Sequence, residues 1–282
     1  MIDWFPTAEW DLTDSRVVRR RSDGLARLTS ISHLRVFRAG DDDGASWTEG
    51  QSFLPDAPEE EFGAEDPRVT EIQGRFWITY VAVSRHGAAT SLASTDDFET
   101  FVRHGVIFCP ENKDVVLFPA QIDGQYAALH RPTGGSRFSS PEIWLARSPD
   151  LFHWGRHEPV LSGCAPWEAG RVGSGPPPIR VENGWLAVYH GAGDPRAPGS
   201  VGEYCAGAVL LDHCDPSRVL RRSPEPIMRP TADFERTGFV GDVVFPTGLI
   251  ERGDKLRMYY GSADSNIGSV EFCREELLAS LC

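Results

Sequence analysis

The sequence predicts an all-β fold, a five-bladed β-propeller with its active site in a central funnel, and three observations carry the prediction. Four stretches repeat one pattern: EDPRVTEIQGRFWITYVA around Pro67, LFPAQIDGQYAALHRP around Pro119, PPPIRVENGWLAVYHG around Pro178 and VFPTGLIERGDKLRMYYG around Pro246. Each has a proline, an apolar residue two to four positions on, a turn with Gly or Asp-Gly, and a strand-like run with aromatics. The prolines are 52, 59 and 68 residues apart, a spacing that suits propeller blades of antiparallel strands. Helical signals are few, and 28 Gly and 21 Pro punctuate short Val, Ile, Phe, Trp and Tyr runs, as in all-β chains. A second repeat lies between the first ones: LASTDDFETFVRHGVIF (92–108) and LARSPDLFHWGRHEPVL (145–161). It reads as a β-turn whose Asp caps its own backbone, followed by an outer strand over an aromatic.

Taken in order, residues 1–62 supply an unrepeated first blade, in which DDDGASWTEG (41–50) is an earlier relative of the Asp turn. The four Pro-led units follow, and REELLASLC (274–282) ends the chain as a short helix. At 282 residues the chain suits a single domain spanning 1–282, with no internal boundary. GDPRAPGSVGEY (193–204) is the longest loop-like segment; it either overhangs the funnel mouth or contacts a neighbouring subunit.

The charge balance excludes some functions. With 41 Asp plus Glu against 28 Lys plus Arg, the net charge is −13, which disfavours nucleic acid and anionic membranes as partners. No apolar run approaches the length of a membrane span. Six scattered cysteines form no CxxC pair, and the start MIDWFPTAEWD lacks a signal-peptide pattern, so reduced thiols and a cytoplasmic location are expected. There is no HxH, HExxH or CxxC, hence no metal site is expected.

The repeated runs end on Ser84, Arg131, His190 and Asp264. Pro67 should hold Asp66 extended at a strand entrance, where Asp66 beside Arg68 is a sugar ligand, a proton donor or a structural pair. Lys113 and Asp114 precede an apolar strand. An apolar strand should not finish on the Arg131 guanidinium unless it meets an anion, a carboxylate or solvent. Arg147 ends IWLAR in a similar position. Glu168 follows Trp167 in a pairing typical of sugar sites, and Arg171 precedes a Gly-rich loop. His190 ends a buried-looking strand, with Tyr204 near in sequence. Such a cationic cluster in an acidic chain suits phosphate or sulfate, which several charge-assisted hydrogen bonds would fix.

The motifs GAEDPRV, NKDVVLFP, LHRP, SPDLFHWG, the WE block with GSGPPPI, GWLAVYHG, VVFPTG and YYGSAD resemble glycoside hydrolase family 130, the β-mannoside phosphorylases and β-mannosidases, from about residue 60 onward. The resemblance implies a five-bladed propeller, an inverting reaction on mannosides, and inorganic phosphate as co-substrate with no other cofactor. It implies a phosphate site at Arg131, Arg147, Arg171, His190 and Tyr204, and a mannosyl site that includes Asp264 and Asp66, with Arg68 and Asp114 as further sugar-binding candidates. The family's general acid, an Asp in a segment like TYTAYDG, aligns with Ser84 in TYVAVSRHG. Serine lacks a carboxylic acid's competence as proton donor, so Asp66 or Asp114 substitutes, a proton passes through Ser84, or the reaction has diverged.

Three functions follow. In the first, phosphate attacks the anomeric carbon of a β-mannoside with Asp66 as acid, giving mannose 1-phosphate. In the second, Glu168 activates water as the base of an inverting hydrolase. In the third, the propeller binds a sugar without catalysis. Implied partners are a β-mannoside or related oligosaccharide and phosphate, with a homo-oligomer left open.

Overall fold

A computed structural model describes residues 4–14, 16–40, 44, 46–133, 138–194 and 201–282. The Asp-turn relative at 41–50 and the loop at 193–204 lie partly outside the described residues. The described residues are all-β, in six antiparallel sheets. Residues expected to form one first blade form two separate sheets instead. One holds β1 (Trp10–Asp11), β2 (Val17–Arg20) and β3 (Ala26–Leu28); the other pairs β4 (Leu34–Ala39) with β5 (Trp47–Phe53).

Next come two four-stranded meanders: β6 (Gly63–Ile72), β7 (Arg75–Ser84), β8 (Gly87–Thr95) and β9 (Val102–Phe108), then β10 (Asn112–Leu117), β11 (Tyr126–Pro132), β12 (Ile143–Ser148) and β13 (Gly155–Leu161). The fifth sheet contains β14 (Arg171–Ser174), β15 (Ile179–Val181), β16 (Gly184–Ala192), β17 (Tyr204–Leu211) and β18 (Val219–Arg222). The sixth contains β19 (Val244–Arg252), β20 (Lys255–Ser262) and β21 (Asn266–Cys273). A helix at Arg274–Ala279 caps the sixth sheet, burying Leu277 against Leu186, Leu210 and Leu256.

The local signals explain these elements. Gln73-Gly74 and Asp123-Gly124 all have positive φ, the conformation that lets a two-residue hairpin turn follow the strand twist. Asp97 accepts the N–H groups of Glu99 and Thr100, Asp150 those of Phe152 and His153, and Asp212 those of Cys214 and Asp215. These Asp turns lead out of the third strand of three sheets. The largest core cluster joins the fourth and fifth sheets through Phe118, Leu145, Trp185 and Tyr189.

A further repeat appears only in space. Short helical turns at Pro58–Glu60, Pro166–Glu168 and Asp233–Arg236 each bury a glutamate: Glu60, Glu168 and Glu235. Each accepts a tyrosine hydroxyl from the next hairpin's second strand: Tyr80 at 2.6 Å, Tyr189 at 3.0 Å and Tyr260 at 2.7 Å. The fourth sheet places His130 at the equivalent point, bonded instead to Asn112 and His157.

The first strands pack against one another. β10 contacts β6, β7, β8 and β14, while β19 contacts β6, β16 and β17. Arg68 crosses this centre, with only 1% exposure. Its Nε donates to the Gly175 carbonyl at 2.7 Å, and its guanidinium sits over Phe245 at 5.0 Å.

Candidate active site

Antiparallel pairing puts the start of each first strand beside the end of the second. Lys113 pairs with Arg131, and Gly173 with His190. A cavity of about 340 Å³ opens at this shared end, lined by Glu65, Asp66, Lys113, Asp114, Arg131, Arg171, His190, Tyr204, Phe245 and Asp264, with Arg16, Glu111 and Thr133 also at its wall.

Two aspartates are aimed into it by one device. The ladders of β6 and β10 slip between Glu65 and Arg68 and between Lys113 and Val116. At these bulges Asp66 has φ 53° and Asp114 φ 54°. Bulges re-aim side chains, and Asp tolerates the left-handed region better than most residues. The expectation that Pro67 holds Asp66 extended is therefore corrected: the bulge overrides the preference of a residue preceding proline.

The floor is a charged network. Arg131 Nη1 lies 2.9 Å from Asp114 Oδ2, and His190 Nε2 lies 3.5 Å from the same oxygen. Arg131 Nη1 is also 3.4 Å from His190 Nε2. Burial alone would raise Asp114, but Arg131, His190, Arg68 and Lys113 outweigh it and hold the carboxyl below its usual range. Burial, reinforced by Arg131 against the pull of Asp114, lowers His190 to about 3, so the imidazole is neutral near pH 7. Among the described residues the buried atoms Arg131 Nε and His190 Nδ1 have no hydrogen-bond partner, an arrangement that calls for explanation in a folded chain. Tyr204 stacks on His190 at 5.5 Å, and the Arg171 guanidinium stands 5.8 Å from the Tyr204 ring.

Above this floor Asp66 behaves in the opposite way. It opens to the cavity, but burial and then the Glu65 charge push it up to about 6, against Lys113 and Arg68. Lys113 Nζ meets Glu65 Oε1 at 3.0 Å. Although burial works against its charge, Glu65 and Asp66 raise its pKa. Asp264 lies at the rim, raised by burial despite Arg16.

Of the sequence candidates, Asp66, Asp114, Arg131, Arg171, His190, Tyr204 and Asp264 meet in this cavity. Four do not. Arg147 lies on the third strand, β12, and pairs with Asp215 at 3.1 Å in a separate cleft lined by Asp123, Arg156 and His157. Ser84 ends β7 with its hydroxyl accepting the His86 N–H at 3.2 Å, turned into the hairpin. Arg68 lies beneath the floor, where its Nη1 donates to the Asp66 carbonyl at 3.0 Å.

Glu168 is held in the glutamate–tyrosine contact. It accepts the N–H groups of Cys164 and Ala165 at 3.1 and 3.3 Å and Arg222 Nη2 at 2.8 Å. It is 1% exposed and does not line the cavity, so the reading of Glu168 as a base that activates water is corrected. Sequence reasoning left Glu65, Glu111 and Arg16 out of the site and did not rank Lys113 as an anion ligand. The strand register beside Arg131 was the available signal for Lys113.

Among the described residues no cluster of His, Cys, Asp and Glu could hold a metal ion, and no helix is long and apolar enough to cross a membrane.

Known proteins share this sequence and architecture. The family described as beta-1,4-mannooligosaccharide phosphorylase matches residues 26–281. A beta-1,2-mannobiose phosphorylase from Listeria innocua is 42% identical over 276 residues, spanning 96% of this chain and 76% of that protein. A solved structure of a Listeria innocua beta-1,2-mannobiose phosphorylase, in complex with beta-1,2-mannobiose, superimposes with a TM-score of 0.89 at 42% identity and covers the same shares of the two chains. A 1,2-beta-oligomannan phosphorylase from a Thermoanaerobacter species is 39% identical, across 73% of this chain and 67% of that one. The matched span holds every cavity residue except Arg16, and on that match this chain belongs to glycoside hydrolase family 130.

Proposed function

We propose that this chain is an inverting phosphorylase of β-mannosides, releasing α-mannose 1-phosphate. The observation that carries the reading is the cationic cluster at one cavity in a chain of net charge −13: Lys113, Arg131 and Arg171, with the neutral His190 ring and Tyr204 beside them. An inorganic phosphate beside Arg131, Arg171 and Lys113 would be held by charge-assisted hydrogen bonds, which fix such an ion well. The relatives' names point to the same substrates.

In the proposed reaction a phosphate oxygen forms a bond to the anomeric carbon as the glycosidic C–O bond breaks on the opposite face. The Asp66 carboxyl gives its proton to the departing oxygen. Its raised pKa keeps a usable protonated fraction near neutral pH, as a general acid needs. Asp114 stays ionised and holds Arg131 and His190 in place. Phosphate supplies the nucleophile, so only one protein acid is required.

We further assign the sheets beginning at β4, β6, β10, β14 and β19 to five blades of a propeller, the packing of β6 against both β10 and β19 being what supports a ring. Six unpaired cysteines accord with a reducing, cytoplasmic setting. The test is incubation with β-1,2-mannobiose with and without inorganic phosphate, following products by NMR. Phosphate-dependent α-mannose 1-phosphate is expected; mannose released equally without phosphate would overturn the reading in favour of hydrolysis.

A further inference from the structure

Among the described residues Arg16, in the turn that leads into β2, is the one cavity residue from the segment of β1 to β3, and it lies outside the span matched by the family. Its guanidinium is held in advance. Asp14 Oδ1 accepts its Nε at 2.9 Å and Asp14 Oδ2 its Nη2 at 2.8 Å, while Oδ1 also takes the Arg16 N–H at 3.0 Å. That clamp leaves Nη1 for a ligand and removes much of the rotamer entropy that a free arginine would lose on binding.

Position separates Arg16 from the anion site. Its side chain is 46% exposed, against 8% for Arg131 and none for His190. Arg16 therefore stands at the mouth, where its charge acts on Tyr204 and Asp264. If phosphate occupies the floor, the rest of an oligosaccharide must leave toward solvent, past the mouth. We propose that Arg16 binds hydroxyls of the leaving sugar and sets which acceptor the enzyme uses. This rests on the phosphorylase reading above.

The test uses the full chain in both directions: phosphorolysis of β-1,2-mannobiose, and the reverse reaction from mannose 1-phosphate with mannose as acceptor. Arg16→Ala should raise the acceptor KM about tenfold, the scale of a hydrogen bond to a charged donor. The KM values for phosphate and mannose 1-phosphate should stay within about twofold of the parent. Asp14→Ala, which frees the guanidinium without removing it, should raise the acceptor KM by a smaller factor, and thermal unfolding of both variants verifies folding. Unchanged acceptor KM in both variants, or a change falling on phosphate instead, overturns the assignment while the phosphorylase reading stands. A parent protein that shows no phosphorolysis overturns both.

Discussion

Gly173 sits where no side chain fits, and replacing it with alanine tests the floor of the cavity directly. A Cβ there would lie 2.2 Å from Asp114 Oδ2, 2.4 Å from His190 Cε1 and 2.6 Å from His190 Nε2. Ordinary contact would need each atom to move by about 1 Å. Neither neighbour is free to do so: His190 is fully buried against Phe245 and Tyr204, and Asp114 is paired with Arg131. Overpacking of this kind costs about 1–3 kcal/mol. Relief by pulling Asp114 off Arg131 would cost about 3–5 kcal/mol, so the cheaper strain decides.

For a chain of this size that strain corresponds to a fall in Tm of roughly 2–5 °C. The larger effect should be on chemistry. A displacement of about 1 Å in groups that position a reactant can cost on the order of a hundredfold in rate, so kcat/KM for phosphate is expected to fall by at least about tenfold. The assay pairs thermal unfolding with phosphorolysis kinetics. Gly155→Ala, where nothing lies within 4 Å of the added carbon, serves as the control. A Gly173→Ala protein with parental Tm and parental phosphate kinetics would refute the reasoning.

Lys113→Met should raise the phosphate KM by about tenfold or more, the loss of one hydrogen bond to a charged group; Arg147→Met, removing a group paired with Asp215 in another cleft, should leave it unchanged. Because the fold raises Asp66 to about 6, its protonated fraction grows as pH falls. The rate at saturating phosphate should accordingly decline as pH rises through about 6, and Asp66→Asn should lose about 10²–10⁴ in kcat, whereas Ser84→Ala keeps the parental rate. Glu168→Gln should destabilise the fold by about 3–5 kcal/mol in urea unfolding, because it removes the buried charge paired with Arg222; a stable variant with abolished turnover would instead give Glu168 a chemical role.

How much of this was legible in the sequence depended on which periodicity was read. The Pro-led repeat locates the hairpins, and with them Arg131 and His190 near the ends of second strands and Asp264 in the turn just past β20. Arg147 misleads because LARS in 145–148 also ends an apolar run, but on the third strand, where it pairs with Asp215 outside the cavity. One-dimensional likeness between strand ends cannot rank them by distance from an axis. Lys113 was within reach, since antiparallel register puts the residue starting a first strand beside Arg131. Pro67 and Arg68 single out Asp66 in the sequence, yet its orientation comes from a bulge that the preference of a residue before proline argues against. Glu168 resembled a sugar-site carboxylate because Trp167 precedes it. Only the tyrosine partners, 20 to 25 residues away in sequence, reveal the recurring contact that occupies it.

The two bulged aspartates explain why one repeated element can serve opposite ends. Glu65-Asp66 and Lys113-Asp114 occupy equivalent places on β6 and β10, with the same left-handed backbone at the aspartate. The residue before each differs in sign. Glu65 adds repulsion to the burial of Asp66, whereas Asp114 has Lys113 before it and Arg131, His190 and Arg68 around it. Equal geometry with unequal charge moves the two carboxyls apart, leaving one able to hold a proton and the other ionised to organise cations. Exchange of the preceding residues should erase that division. Glu65→Lys would draw Asp66 toward its ordinary range and strip the acid of its proton near neutral pH. The pH at which activity falls should then shift downward while phosphate still binds, as titration calorimetry would measure. An unshifted profile would mean that burial alone, rather than the charge at position 65, sets the proton affinity of Asp66.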